Sequence, residues 1–267
     1  MKKMLLFIAV FLGAAAILFA NGAKENEATN FVIGAVSEPH ISMLKVVAPE
    51  LAEHGIMLEI VEINDFNKLN MAVENGQLDA NFFQHIPFME AYNEENGTHL
   101  VCAGRTHIEP IALYSNKISS IRELRNGATI VIPEDPTNTR RALLLLQKAN
   151  LIQFEPAEDG KASIKDITFN PRNLKIHAIE SGELTSALAD VDAAIISGNY
   201  ALMAGLSAAK DGLLVEEKDT PYVNAVVVKE GSQNDPRVIA LVKALQGKKI
   251  KAFIIEHYPA GEVIPTF

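Results

Sequence analysis

Over most of the chain, short runs rich in β-branched residues alternate with stretches whose apolar residues recur at helical spacing. This alternation constrains the fold more than any other feature of the sequence. It predicts strands at 31–36, 57–63 and 79–83, with helices at 42–54 and 67–74 between them. Because strand–helix–strand units build sheets that helices cover, the sequence predicts an α/β fold.

The same alternation starts again after Ser115. A strand at 128–132 leads into a helix at 137–150, and two further strand–helix pairs follow. Each series runs for about 80 to 100 residues, which is the size of an ordinary domain. The sequence therefore predicts two lobes, each a mainly parallel sheet flanked by helices.

Two extended apolar segments have no helix attached and are predicted to be strands that cross between the lobes. They lie near residues 108–115 and 222–228. The predicted first lobe comprises residues 31–112 and 227–267, and the predicted second lobe comprises residues 113–226. Two lobes hinged by two crossing strands enclose a cleft that closes around a ligand.

The charge and the cysteine content argue against several classes of function. The formal charge is −9, with 33 acidic and 24 basic residues, and an acidic surface repels phosphate backbones. Cys102 is the one cysteine, so the chain forms no internal disulfide and no cysteine-based zinc site. We therefore expect no nucleic-acid partner.

Residues 1–20 have the anatomy of a secretory signal peptide, with two lysines before an unbroken apolar run. An uncleaved membrane anchor is the alternative, because a span needs at least about 17 apolar residues and the run approaches that length. Residues 21–30 are polar and predict a flexible tether. Asn21 stands where a lipoprotein carries its acylated cysteine. We therefore expect export to the periplasm without a lipid anchor.

Polar and aromatic side chains follow each predicted strand. In open α/β sheets, ligands bind beyond the carboxyl ends of the strands. The residues found there supply hydrogen bonds and rings rather than a nucleophile with its base, which indicates a small ligand with a polar head. The segments are Ser37–His40, Asn64–Phe66, Gln84–His85, Pro133–Asn138 and Gly198–Tyr200.

The segment Asp135–Ala142 begins a second-lobe helix, with Thr137 or Asn138 as the predicted N-cap. Free amides and the helix dipole favour a carboxylate there, and an arginine one turn in adds a two-pronged grip. At about 100° per residue, Arg141 borders the apolar face whereas Arg140 points away. Arg141 is therefore the arginine predicted to bind the ligand.

His85 follows a predicted strand and either contacts the ligand or caps the next helix. An enzyme would need His85 as a base with Asp65 or Glu38 beside it, and no nucleophile or phosphate-binding motif occurs. His107 and Glu109 face one way on a predicted strand, which leaves a metal carrier as a further alternative. We predict a binding protein that is not an enzyme and that holds no metal or cofactor.

Five short segments form an ordered set of motifs: Val61–Phe66, Leu78–His85, Asp135–Leu143, Gly198–Ala201 and Pro221–Asn224. Together they resemble the NlpA lipoprotein family, whose best-known members are the methionine-binding proteins of ABC importers. The likeness extends over residues 31–267. It implies the two-lobed fold of periplasmic binding proteins.

The resemblance also implies a ligand site. In the family pattern, the guanidinium holds the ligand carboxylate and two asparagines fix the amino and carboxylate groups. A histidine contributes from the first lobe, and two aromatic rings enclose the thioether, where each sulfur–ring contact is worth about 0.3–1.5 kcal/mol. The corresponding positions are Phe66, Phe83, His85, Arg141, Asn199 and Asn224.

Phe66 stands where the family usually has tyrosine, which removes a hydroxyl from the implied site. The resemblance implies a monomer that captures an amino acid, L-methionine first, and delivers it to an ABC permease and its ATPase at the inner membrane. D-methionine, a methionine dipeptide or another apolar amino acid are the alternative ligands. An envelope enzyme that uses His85 is the remaining alternative.

Overall fold

The computed structural model describes residues 29–155 and 161–267. The predicted signal peptide lies outside the described residues, and so does most of the predicted tether at 21–30, whose last two residues already belong to the first strand. Within the described ranges, no helix has the length and apolar content needed to cross a membrane.

The strands are β1 (Thr29–Ala35), β2 (Ile56–Glu62), β3 (Ala80–His85), β4 (Leu100–Ile108), β5 (Ala112–Tyr114), β6 (Thr129–Pro133), β7 (Gln153–Phe154), β8 (Ile167–Phe169), β9 (Lys175–Ile179), β10 (Ala193–Ile196), β11 (Leu214–Val215), β12 (Val223–Lys229) and β13 (Ile264–Pro265). The helices are α1 (Ser42–Glu53), α2 (Phe66–Glu74), α3 (Ile86–Asn96), α4 (Pro136–Lys148), α5 (Leu184–Ala187), α6 (Gly198–Met203), α7 (Ala208–Asp211), α8 (Pro236–Leu245) and α9 (Lys248–His257).

Two sheets define two lobes. The first lobe is a six-stranded sheet in the order β13-β4-β12-β3-β1-β2, and the second is a five-stranded sheet in the order β11-β5-β10-β6-β9. Each sheet has one buried hydrophobic cluster on each face. In the first lobe, α1, α8 and α9 cover one face while α2 and α3 cover the other. The predicted two-lobed α/β fold with helix-flanked sheets is therefore confirmed.

Most strands of each sheet run in one direction, as predicted, but each sheet also contains antiparallel pairs. In the first lobe β1 pairs in parallel with β2 and β3, but β12 runs antiparallel to both β3 and β4. The cause is the return of the chain from the second lobe. Strand β4 leaves the first lobe at Ile108, and β12 re-enters it opposite that residue at Val223, so the two strands run in opposite directions. In the second lobe, β5 is the antiparallel strand.

The chain crosses between the lobes twice, at residues 109–111 and at residues 216–222. The second crossing ends at residue 222, where the predicted segment at 222–228 begins. Strand β12 pairs with β4 along its whole length, which places residues 223–226 in the first-lobe sheet rather than in the second lobe where the predicted division put them. The sequence does not distinguish a strand that pairs on both sides from a strand that connects two lobes, because both are short apolar runs.

Helix α4 shows how the sequence sets the start of an element that forms the site. Its N-cap is Asp135, whose carboxylate accepts the backbone N–H of Asn138 at 2.9 Å. The predicted caps, Thr137 and Asn138, lie inside the first turn instead. Pro136 explains the difference, because a proline fits the first helical position and thereby makes the preceding residue the cap. The buried apolar face packs on the second-lobe sheet.

Candidate ligand-binding site

A cavity lies between the lobes. All six positions named by the sequence line it, so residues far apart in the chain meet at one place: Phe66, Phe83, His85, Arg141, Asn199 and Asn224. Six further residues complete the lining: Gln84, Phe88, Glu109, Asn138, Ser197 and Gly198.

His85 reaches the cavity from the end of β3, a strand in which every residue is buried. Its Nδ1 accepts the backbone N–H of Phe88 at 3.1 Å and so caps α3. Because Nδ1 is an acceptor, Nε2 carries the proton and donates to Asn138 Oδ1 at 3.1 Å across the cleft. Burial and the nearby Arg141 guanidinium lower the pKa of His85 to about 3, so the ring is neutral and offers an N–H.

The acid partners that an enzyme would require are not beside His85. Asp65 caps α2 by accepting the Lys68 N–H at 3.0 Å, and Glu38 accepts the hydroxyls of Ser42 and Tyr258. With one ring nitrogen used as a cap and the other protonated, His85 has no free lone pair for a general base. Its geometry is that of a hydrogen-bond donor.

Arg141 is 4% exposed and is held by both crossing segments. Its Nε donates to Glu216 Oε1 at 2.8 Å, Nη2 donates to Glu216 Oε2, and Nη2 also donates to the Glu109 carbonyl oxygen at 2.7 Å. The guanidinium carbon lies 4.7 Å from the centre of the Tyr222 ring. Glu216 therefore occupies the fork that the sequence analysis assigned to the ligand, and Nη1 is the nitrogen without a partner in the described part of the chain.

Arg140 precedes Arg141 in α4. It is not among the cavity-lining residues, and its Nη1 reaches the Tyr222 hydroxyl at 3.4 Å. Both neighbouring arginines therefore contact Tyr222, Arg140 at the hydroxyl and Arg141 over the ring, but only Arg141 lines the cavity. Arg140 provides a matched control for experiments on Arg141.

The start of α6 brings unpaired donors to the cavity. Asn199 Nδ2 and Ser197 Oγ are buried and have no hydrogen-bond partner among the described residues. A buried donor without a partner costs about 1–3 kcal/mol, which a ligand oxygen placed beside it would recover. Gly198 is required between them, because a Cβ there would lie 2.7 Å from Glu109 Cβ.

Asn224 enters the cavity from β12, where bulges interrupt the pairing with β3 and β4. Bulges of this kind redirect a side chain out of the regular alternation of a strand. The side-chain oxygen of Asn224 lies 3.3 Å from His40 Nε2. This hydrogen bond fixes the amide so that its oxygen faces His40 and its NH₂ group is left for another partner.

One end of the cavity is aromatic. The Phe66 ring centre lies 5.0 Å from that of Phe83, 5.7 Å from that of Phe88 and 5.5 Å from that of Tyr200. Phe66, Phe83 and Phe88 belong to the first lobe, and Tyr200 belongs to the second. The rings pack at tilted and edge-to-face angles that suit aromatic clusters. Phe66, Phe83 and Phe88 form an apolar wall of the cavity.

The other end of the cavity contains a buried carboxyl group, Glu109, that touches two histidines. Glu109 Oε1 lies 2.6 Å from His107 Nε2 and 3.2 Å from His40 Nε2. Burial raises the pKa of Glu109 to about 7 and lowers the pKa of His107 to about 3 and that of His40 to about 4. One atom from each of the three side chains lies within 4.8 Å of the others, which is the spacing of a possible metal site. The 2.6 Å contact, however, is a hydrogen bond between His107 and Glu109 themselves.

Sequence reasoning missed several residues that shape the site. Glu216 lies in an irregular polar segment with no periodic pattern, so nothing in the sequence marks it as the partner of Arg141. Phe88 and Glu109 were visible as an aromatic residue in a helix and as a strand carboxylate, but only the fold brings them to the cavity. Asn138 was named as a helix cap, and its side chain instead meets His85.

The site can now be compared with known proteins. A sequence profile of the NlpA lipoprotein family matches residues 31–267. The chain belongs to the NlpA lipoprotein family. Among other members, "Methionine-binding lipoprotein MetQ" of Bacillus subtilis (strain 168) is 36% identical over 274 residues, which is 100% of this chain and 99% of that protein. "D-methionine-binding lipoprotein MetQ" of Salmonella typhi is 37% identical over 232 residues, 86% of each chain.

Solved structures agree with this NlpA assignment. The structure of a nutrient binding protein from Burkholderia cenocepacia bound to methionine is similar with a TM-score of 0.86 and 37% identity, covering 89% of this chain and 100% of that chain. The family and the fold predicted from the sequence are therefore both confirmed. The relatives carry names of binding lipoproteins rather than of enzymes.

Proposed function

We propose that this chain is an extracytoplasmic solute-binding protein of an ABC importer that captures methionine, with L-methionine as the first candidate. Binding, closure of the two lobes and docking to the permease make up its mechanism, and no bond is broken. The names of its relatives and the methionine in the Burkholderia structure support this proposal. They describe other proteins, so the chemistry of this cavity must carry the argument.

One observation carries the proposal: the cavity is lined by one guanidinium and one carboxyl group, those of Arg141 and Glu109. A free amino acid presents one carboxylate and one ammonium, so the two ends of its polar head have one partner each. Glu216 balances the charge of Arg141, which keeps the cavity from attracting simple anions. An enclosed site without net charge suits a zwitterion.

The aromatic wall favours an unbranched apolar side chain. Rings of Phe66, Phe83 and Phe88 line the cavity and pack against one another, and sulfur against ring edges is a favourable contact of about 0.3–1.5 kcal/mol. Phe66 offers no hydroxyl, so the ring supplies apolar contact alone. We propose that the methionine thioether lies against this ring.

The ligand is identified by a release experiment. Protein purified from cells is denatured, and the released small molecules are separated on a chiral column and analysed by mass spectrometry. We expect L-methionine at close to one equivalent. D-methionine, a methionine dipeptide or another apolar amino acid in its place would assign the site to that ligand and overturn the first candidate.

Thermal unfolding gives a second, independent test. A ligand that binds only the folded protein stabilises it by about 2.7 kcal/mol at 100 times its Kd. After removal of bound ligand by unfolding and refolding, L-methionine is expected to raise the melting temperature, whereas glutamate and lysine are not. A shift with charged amino acids but not with methionine would overturn the proposed function.

We also propose that residues 1–20 export the protein and that it remains unlipidated, because Asn21 has no thiol to acylate. Cells grown with a labelled fatty acid are expected to incorporate no label into this protein, whereas an Asn21→Cys variant incorporates it. Label on the unmodified sequence would contradict this part of the proposal. Delivery to a permease and its ATPase is tested by methionine uptake in cells that lack this chain.

A further inference from the structure

The hydrogen bonds around His107 determine where its protons lie. The Thr106 hydroxyl donates to the Asn224 carbonyl oxygen at 3.0 Å, and a carbonyl can only accept. The hydroxyl has a single proton, so toward His107 Nδ1, 2.9 Å away, its oxygen must accept. His107 Nδ1 therefore carries a proton. In a neutral imidazole the other nitrogen, Nε2, then has no proton and presents its lone pair.

That lone pair faces a carboxyl oxygen. His107 Nε2 and Glu109 Oε1 are 2.6 Å apart, and two lone pairs cannot approach so closely without a proton between them. The pair thus holds one proton, either as a carboxylic acid with a neutral ring or as a carboxylate with an imidazolium. Both side chains are buried, and burial favours the uncharged form. In the ligand-free site, Glu109 is therefore a neutral acid below about pH 7.

The groups that face Glu109 from other elements do not remove this proton. His40 is buried against the same carboxyl group, and its pKa is lowered to about 4, so it is neutral. Arg141 and the backbone N–H of Asn199 favour the carboxylate, but burial outweighs both. Tyr258, beyond His40, is a neutral phenol, because burial and its hydrogen bond to Glu38 raise its pKa. A further positive group placed beside Glu109 would favour the carboxylate and so release the proton that the His107–Glu109 pair holds.

We propose that Glu109 accepts the α-ammonium group of the bound amino acid and that its shared proton leaves to solvent as the ligand binds. The step is a proton transfer from the Glu109 carboxyl group to water, and the ammonium replaces the lost proton as the partner of the carboxylate. The inference rests on the proposed function, because it concerns the same ligand. It makes Glu109 the residue that selects for a free amino group.

Isothermal titration calorimetry with L-methionine measures this proton directly. Titrations at pH 6 in phosphate, MES and bis-Tris, which differ in ionisation enthalpy, give the number of protons released for each ligand bound. At pH 6 both groups of methionine are ionised, so the ligand itself contributes none. We expect release of close to one proton at pH 6 and close to none at pH 8. Affinity should weaken by up to tenfold for each pH unit below 7.

The Glu109→Gln variant should bind methionine at least tenfold more weakly and release no proton. Glu262→Gln is the matched control, since Glu262 is another buried carboxyl residue but does not line the cavity. It should release the same proton as the unmodified protein. N-acetylmethionine, which has no ammonium, should release none on the unmodified protein, and this measurement does not depend on how any variant folds.

The outcomes separate this inference from the function on which it rests. Methionine binding to the unmodified protein at pH 6 with the same heat in all three buffers would overturn the role of Glu109 and leave the proposed function standing. Proton release that persists in Glu109→Gln would also overturn it. No methionine binding at any pH would overturn the proposed function itself.

Discussion

Each crossing segment carries one glutamate into the site, and the two are partnered in opposite ways. Glu216, on the second crossing, binds the guanidinium of Arg141 through both carboxylate oxygens. Glu109, on the first crossing, meets His107 and His40, two rings that burial keeps neutral. Glu216 has a permanently charged partner, whereas Glu109 faces two titratable rings, and burial raises the pKa of Glu109 to about 7.

The comparison teaches that deep burial without a permanently charged counter-ion is what raises the pKa of Glu109. It also divides the work of the site. The Arg141–Glu216 pair is a fixed support that connects α4 to the second crossing. The Glu109 cluster, defined by His40, His107 and Glu109, can change its proton content when a ligand arrives. Acid, mutation and ligand chemistry should therefore affect the two regions differently.

Lowering the pH should produce the largest change in the free energy of unfolding, and it should act through the buried histidines. His40, His85 and His107 have folded-state pKa values lowered from 6.5 to about 4, 3 and 3, so the unfolded chain binds protons first and stability falls as pH drops below 6.5. Glu109 acts in the opposite sense, since its pKa is raised to about 7 and the folded state holds the extra proton. Three protons taken up by the histidines on unfolding, less the one released by Glu109, leave a net uptake of two. The free energy of unfolding should therefore fall by roughly 5 kcal/mol between pH 6.5 and 4.5.

Urea unfolding of ligand-free protein across this pH range checks the prediction. In Glu109→Gln the opposing contribution is gone, so stability should fall more steeply with acid than in the unmodified protein. A stability that is flat between pH 6.5 and 4.5 would contradict the neutral state of the three rings.

Removing the fixed support should come next. Glu216→Ala leaves Arg141 buried without a counter-charge, and breaking a buried ion pair in this way costs about 3–5 kcal/mol. Its neighbour Glu217 is a matched control, because it is exposed and pairs with the exposed Lys148. Glu217→Ala should change the free energy of unfolding by about 0.5 kcal/mol or less. Equal effects of the two substitutions in urea unfolding would argue against a supporting role for Glu216.

The arginine itself tests how the ligand carboxylate is held. Arg141→Ala should weaken methionine binding by about 2–5 kcal/mol, or about 30-fold to 5,000-fold, because a buried charged partner is lost. Arg140→Ala should change affinity by less than about threefold. Calorimetry that gives Arg141→Ala less than a tenfold loss would show that the Glu216 fork, rather than the ligand, is the main partner of this residue.

The sequence predicted the parts of this site that depend on local pattern. The helical spacing of α4 separated Arg141 from Arg140, and the ends of β3 and β10 located His85 and Asn199. It did not predict partners set by tertiary contact. Glu216 meets Arg141 only because the return crossing passes α4, a contact that joins residues 75 positions apart.

The same limit applies to the fold. Alternating strands and helices gave two lobes, because each unit buries its own apolar face. Strand direction depends on how the chain returns, so the insertion of β12 between β3 and β4 lay beyond a local pattern. The protonation of Glu109 could not be predicted from the sequence either, because it depends on a contact between Thr106 and Asn224, which lie on two different strands.

The smallest predicted effect concerns the aromatic wall. Methionine should bind more tightly than norleucine, which has a methylene in place of sulfur, by about 0.3–1.5 kcal/mol. Phe66→Leu should narrow this preference, while Phe66→Tyr should keep it, because the ring is retained. Competition titrations measure the ratio of the two affinities. A preference that is unchanged in Phe66→Leu would place the thioether elsewhere in the cavity.

A crystal structure of the refolded protein with L-methionine decides whether the two glutamates have the roles assigned to them. The ligand carboxylate is expected within hydrogen-bond distance of Arg141, on the Nη1 side, with Glu216 still on the fork and the ammonium against Glu109. Methionine in the reverse orientation, or bound outside the cavity between the lobes, would contradict this assignment.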